Sequence, residues 1–174
     1  MKKELSIIDF AMSMELEGKK FFAAAAERVA SPQTRNVLRE LSDWEEKHYR
    51  YLQEEKEKLV TSGDFSKADL SDTLLGPEKD KWQVFYARGQ GEGPEPSIPI
   101  GERTSDMSVL RMAIFIENDL QVFYRRAAEN TKDSGGTAMF IKLATWEGEH
   151  AKVLEAQYQS LQKDFWAEMG FSPF

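Results

Sequence analysis

The chain contains no cysteine. Disulfides, thiolate catalysis, iron–sulfur clusters and cysteine-held iron are thereby excluded in one step. The absence is compatible with a reducing cytoplasm, which is the expected location. No apolar run is long enough to span a bilayer, so no membrane role is expected. The N-terminal segment opens with two lysines, but Glu4, Ser6 and Asp9 interrupt its apolar stretch. That is a poor match to a secretory signal. Net charge is −7, which argues against nucleic acid as a partner, because its binding needs grouped Lys and Arg. An acidic surface suits metal cations better. Histidine is scarce as well, with two residues in all, so the placement of each is informative.

The chain has 174 residues, 41% hydrophobic and 30% charged, which fits one soluble globular domain over 1–174. Four long segments carry the apolar period of an amphipathic helix. The first spans about 6–29, opening on Ser6 and Asp9 as an S-x-x-D capping pattern, with Ile7, Ile8, Ala11, Met14, Gly18, Phe21, Phe22 and Ala25 on one face. The second spans about 32–60, opening on Ser31-Pro32, a cap residue and the imino acid favoured at the first helical position. It carries Val37, Leu38, Leu41, Trp44, His48, Tyr51 and Leu52. The third spans about 106–130. The fourth, after Ser134-Gly135-Gly136, spans about 135–161.

Residues 61–105 differ in character. The stretch G-Q-G-E-G-P-E-P-S-I-P at 89–99 breaks regular structure, and upstream a short helix is expected to pack Trp82, Phe85 and Tyr86 inward. So long a connection needs a topological task. An all-α four-helix bundle supplies one if helices two and three run parallel, since the chain must then cross the length of the bundle. The tail 162–174 is expected to add a short helix whose aromatics pack on the bundle or on a second subunit.

A shift of 102 residues overlays the sequence on itself. W-E-E-K-H-Y at 44–49 falls on W-E-G-E-H-A at 146–151, so that Trp44 meets Trp146, Glu45 meets Glu147 and His48 meets His150. The same offset places Glu15 on Glu117, Phe22 on Tyr124, Ala25 on Ala127 and Leu52 on Leu154. The protein therefore reads as two similar helical hairpins related by an approximate twofold axis, with equivalent residues meeting near it.

Residues three apart on a helix share a face, so Glu45 points with His48 and Glu147 with His150. Glu15 and Glu117 project from mostly apolar stripes. Ionised carboxylates in a core are very costly unless partnered, and those faces offer few cations. Two metal ions resolve the conflict. One Glu from each of two helices, plus a Glu-x-x-His from each of the other two, is the ligand set of di-iron and di-manganese carboxylate bundles. Glu17, with Asp119 as its repeat partner, is the local rival to Glu15; Glu15 is preferred because its helical neighbours are more apolar. Glu46 and Glu149 read as solvated charges, and Met12, Met14 and Met112 as core filler. Trp44 and Trp146 suit core packing, shielding of the site or electron transfer. Tyr124 has a hydroxyl that can donate a hydrogen bond near the metals; its counterpart Phe22 cannot, so the role the two share is packing.

The stretches M-E-L-E-G-K-K-F-F, W-E-E-K-H, I-E-N-D-L-Q-V-F-Y and W-E-G-E-H resemble the ferritin-like superfamily, and within it the rubrerythrin group. The resemblance covers the four helices but neither the crossover nor the tail. It implies Glu45 and Glu147 as carboxylates bridging two iron ions (manganese or zinc being alternatives), Glu15 and Glu117 as terminal carboxylates, and His48 and His150 as one ring-nitrogen ligand each. It also implies an oxidoreductase acting on dioxygen or hydrogen peroxide, as in defence against oxidative stress, in an assembly of at least two subunits. Two departures stand out. The rubrerythrin group has a further ligand glutamate where this chain has Leu120, and a cysteine-bound iron that this chain lacks, so electrons must come from a separate donor. Ferrous iron oxidation with handling or storage is the alternative, and a non-enzymatic metal-stabilised bundle the third reading.

Overall fold

The structure is a computed structural model and describes residues 2–65 and 100–171. Its regular elements are four helices: α1 Lys2–Ala26, α2 Pro32–Ser62, α3 Ile100–Asn130 and α4 Ser134–Glu168. The expected 61–105 crossover, including Trp82, Phe85 and Tyr86, falls mostly outside the described residues, as does the end of the tail.

α1 and α2 form one hairpin and α3 and α4 the other; across them, α1 lies beside α3 and α2 beside α4. Contacts at the helix ends fix the directions. Lys3, at the start of α1, donates to Asn130 at the end of α3. Gln157, late in α4, donates to Thr34 at the start of α2 at 3.0 Å. The backbone N–H groups of Ala30 and Ser31 donate to Asp106, early in α3, at 3.0 and 2.8 Å. The starts of α2 and α3 therefore lie at the same end of the bundle, and the two helices run parallel. A 31-residue helix is about 46 Å long, so the chain leaves α2 at one end and begins α3 at the other.

The repeat is visible in the caps. Ser31 opens α2 by accepting from Thr34 N–H at 3.1 Å, and Asp133, its counterpart under the 102-residue shift, opens α4 by accepting from Gly136 N–H at 2.9 Å. Each cap satisfies one of the otherwise unpaired donors of a helix start.

Several helix limits differ from the sequence pattern. Ser6 does not cap α1: the helix already runs from Lys2, and the Ser6 hydroxyl donates back to the Lys2 carbonyl at 3.1 Å. α3 starts six residues before Asp106, because Asp106 serves the α1–α2 connection rather than its own helix. α4 includes both glycines and continues to Glu168 without a separate tail helix. The extra turns of α3 and α4 hold each other. Buried Arg103 forms two contacts to Glu168, Nη2 to Oε1 at 2.9 Å and Nη1 to Oε2 at 2.7 Å. Met112, expected in the core, is 58% exposed.

The apolar interior has two parts. One contains Ile8, Leu52, Leu59, Phe65, Leu120, Tyr124, Phe140 and Leu143. The other contains Phe22, Val37, Leu38, Leu41, Leu110, Val153 and Leu154. Along each helix the polar residues fall between the two: Glu15 between Ala11 and Phe22, and Glu45 between Leu41 and Leu52. Glu117 lies likewise between Ala113 and Tyr124, and Glu147 between Leu143 and Leu154. The bundle thus closes off a polar centre from both ends.

Candidate metal centre

Glu15, Glu45, His48, Glu117, Glu147 and His150 are all 0% exposed. The structure brings the six together in two overlapping groups, one of Glu15, Glu45, His48 and Glu147, the other of Glu45, Glu117, Glu147 and His150. Within each group, one nitrogen or oxygen of every residue lies within 4.8 Å of the others. Glu45 and Glu147 belong to both. Glu17 and Asp119 are exposed, so Glu15 rather than Glu17 faces the centre.

The geometry around the two imidazoles explains the overlap. Glu147 places Oε1 3.1 Å from His48 Nδ1 and Oε2 3.1 Å from His150 Nδ1. Glu45 does the same at longer range, Oε2 at 3.9 Å from His48 and Oε1 at 3.8 Å from His150. Glu15 Oε2 lies 3.5 Å from His48 alone among the histidines, and Glu117 Oε2 3.5 Å from His150 alone. Two carboxylates thus span both halves and two serve one half each. The histidine rings stack on each other, and each has a tryptophan of the opposite hairpin beside it. Trp146 stacks on His48 at 5.5 Å and 13°, and Trp44 lies 6.5 Å from His150 at 45°.

No lysine or arginine among the described residues pairs with any of the four carboxylates; Lys19 and Arg50 pair with Glu46, and Lys152 with Glu149, all partly exposed. Burial and the neighbouring Glu15 push the Glu45 carboxyl well above the usual carboxylate range. Burial also carries Glu117 up to about 8, against the pull of His150. Burial alone would lower both histidines, but Glu147 and Glu15 hold His48 well above its ordinary value, and Glu117 and Glu147 carry His150 up to about 9. Glu147 resists burial because His48 and His150 flank it, and it stays well below the ordinary range. A proton-bound cluster of this kind is how a buried carboxylate site accommodates itself without cations.

The donor set fits a pair of metal ions. Both oxygens of Glu45 and of Glu117, together with Glu15 Oε2 and Glu147 Oε1, are buried and accept no hydrogen bond among the described residues. Buried polar atoms are normally satisfied, and these six oxygens, gathered in one volume, could be satisfied by a cation in place of the protons. Four carboxylates balance two divalent ions, with the imidazoles neutral.

One contact at the centre breaks the repeat. Tyr124, fully buried on α3, donates its hydroxyl to Glu15 Oε1 across the bundle. Burial and Glu15 together hold this phenol well above its usual range, so it stays protonated and keeps the proton it donates to Glu15. The signal was present in the repeat: Phe22 and Tyr124 are equivalent positions, and only one carries an oxygen.

A four-helix bundle with two carboxylate–histidine pairs facing each other across a pseudo-twofold axis defines the class of protein. The chain belongs to the family described as the ferritin-like domain, whose model matches residues 3–160. It is also similar in fold to the solved structure of a hypothetical protein from Pyrococcus furiosus. That likeness has a TM-score of 0.64 at 18% identity and covers 92% of this chain and 90% of the other. No curated protein matches the chain significantly. Among the described residues no helix is long and apolar enough to cross a membrane.

Proposed function

We propose that Glu15, Glu45, His48, Glu117, Glu147 and His150 hold two iron ions, and that the protein is a rubrerythrin-like oxidoreductase acting on dioxygen or hydrogen peroxide. The observation that carries this reading is that Glu45 and Glu147 each direct one oxygen to each histidine. Carboxylate oxygen with imidazole nitrogen is a donor set suited to iron and manganese. When bound, a ferrous pair supplies two reducing equivalents to the oxidant.

The chain's own residues have separate tasks. Glu45 and Glu147 tie the two positions together, while Glu15 with His48, and Glu117 with His150, complete one position each. The apolar groups at either end, Leu52 and Leu120 on one side and Phe22 and Leu110 on the other, exclude bulk water. Tyr124 keeps its proton at Glu15 Oε1, which leaves Oε2 as the Glu15 oxygen turned to the centre. Trp146 and Trp44 pack against the imidazoles and orient them. Electrons come from a separate protein or small-molecule donor, because the chain has no thiolate-bound iron of its own. The protein acts in the cytoplasm as at least a dimer.

Ferrous iron oxidation for handling or storage is the second reading, favoured by Leu120. This residue is 1% exposed within the apolar interior and offers no oxygen where the rubrerythrin group has a ligand. The test is the visible spectrum of anaerobically reconstituted ferrous protein, recorded before and after stoichiometric peroxide and again after an added electron donor. Repeated cycling supports the oxidoreductase. A single oxidation followed by release or accumulation of ferric iron in a many-subunit shell supports iron handling.

A further inference from the structure

The six candidate ligands obey the repeat, but the groups behind them do not. Glu15 is engaged by Tyr124, whose hydroxyl occupies Oε1, and only Oε2 remains without a hydrogen bond. Glu117, its counterpart, accepts no hydrogen bond on either oxygen among the described residues. The residue that would correspond to Tyr124 on that side is Phe22, which is 0% exposed and has no donor. The difference therefore lies in the core and is not a matter of solvent.

We infer that the two metal positions are inequivalent, and that Tyr124 makes the Glu15–His48 position the weaker one. The inference rests on the two-metal reading above and adds an order of occupancy to it. Two effects act in the same direction. The phenol withdraws one of the two Glu15 oxygens, so that this carboxylate offers a single oxygen unless the hydrogen bond breaks. It also stabilises the negative charge that a metal would otherwise neutralise, and a hydrogen bond to a charged group is among the stronger ones in a protein. Glu117 can offer both oxygens without breaking a bond. The first ion accordingly settles between Glu117 and His150, and the Glu15–His48 position fills second and empties first. Tyr124 acts here as a positioning residue, through Glu15.

The test measures binding of a single divalent ion, so that repulsion between two bound ions does not enter. Metal-free protein is titrated anaerobically with cobalt(II), followed by calorimetry and by the visible absorption of the bound ion. His150→Ala leaves the Glu15–His48 position, and His48→Ala leaves the Glu117–His150 position. The expected result is that His150→Ala binds cobalt about tenfold more weakly than His48→Ala. Adding Tyr124→Phe brings the two affinities to within about threefold, by strengthening the Glu15–His48 position. Phe22→Tyr, a second variant that places a phenol on the Glu117 side, weakens the Glu117–His150 position instead. Circular dichroism confirms the helical fold of each variant.

Equal affinities of the two single-histidine variants overturn the inference, as does a gap that survives Tyr124→Phe. Both outcomes leave the two-metal reading standing. If the unmodified protein binds no cobalt, the two-metal reading itself fails, and that result is distinguishable from the other two.

Discussion

The rings of His48 and His150 stack with centroids 5.4 Å apart and planes 12° from parallel, at the centre of the bundle. They come from α2 and α4, the equivalent helices of the two hairpins. Each presents Nδ1 to a different oxygen of Glu147. Two like-charged rings so close would repel, and only the surrounding carboxylates make the arrangement tolerable in the metal-free chain. With metal bound, neutral rings and charged carboxylates become the stable state.

Glu147 is the residue on which both halves depend. Glu147→Gln keeps the volume but removes the charge and one donor oxygen, so binding at both positions should weaken by about 10- to 100-fold or more. Glu17→Gln, two residues after Glu15 but exposed, should leave binding unchanged and stability within about 0.5 kcal/mol. A titration of both variants beside the unmodified protein checks this, and equal losses would count against the assignment of Glu15 and Glu147.

Metal loading should raise the melting temperature. An ion that binds the folded chain stabilises it by about 2.7 kcal/mol at a free concentration one hundred times its dissociation constant. Calorimetric scans with and without chelator read the shift. An unchanged melting temperature on metal addition would contradict the site.

The metal-free protein should lose stability as pH rises. Glu117 titrates near 8 in the folded chain against 4.5 when unperturbed, and His150 near 9 against 6.5. Both values are raised, so between the unfolded and folded values the folded state holds more protons than the unfolded one. Stability then falls with rising pH. Glu45 and His48 are raised as well and add to the same slope. Glu147 is depressed and acts oppositely, with its contribution lost in acid. The melting temperature of the metal-free chain should therefore decline from about pH 6 to about pH 9. In metal-loaded protein the ions replace those protons, and the decline should flatten or reverse.

Gly136 marks a close approach outside the centre. A Cβ there would lie 2.6 Å from the Phe65 ring and 2.7 Å from the Thr131 methyl group. Gly136→Ala should therefore cost about 1–3 kcal/mol by overpacking, despite the better helix propensity of alanine. Urea denaturation reads the cost, and a neutral or stabilising result would mean that the α2 terminus moves freely from α4.

The features legible in the sequence are those set by period and repetition. Four apolar stripes gave four helices, Ser31-Pro32 gave the start of α2, and the paired W-E-x-x-H stretches with Glu15 and Glu117 gave the six residues that meet at the centre. The long separation between Ser62 and Ile100 gave the parallel course of α2 and α3. Features that depend on distant partners were not legible. The ends of α3 and α4 are set by Arg103 and Glu168, 65 residues apart, and local propensity carries no trace of that pairing. Asp106 looks like the start of a helix but is spent on the backbone of Ala30 and Ser31. Met112 carries the apolar character of a core residue, yet α3 turns it outward. Symmetry with Phe22 gives Tyr124 a packing role, and its hydroxyl, the one atom without a counterpart, makes the hydrogen bond to Glu15 that the residue type allows. For Trp44 and Trp146 the residue type alone allows packing, shielding or electron transfer, and the stacking of Trp146 on His48 is compatible with all three.

The most direct measurement is the number of iron ions retained per chain after anaerobic ferrous reconstitution and desalting, compared with His48→Ala/His150→Ala. Two irons per unmodified chain and none in the double variant, with the helical fold intact in both, is the predicted result. No iron in the unmodified protein, or the same iron in the variant, would contradict the centre built from Glu15, Glu45, His48, Glu117, Glu147 and His150.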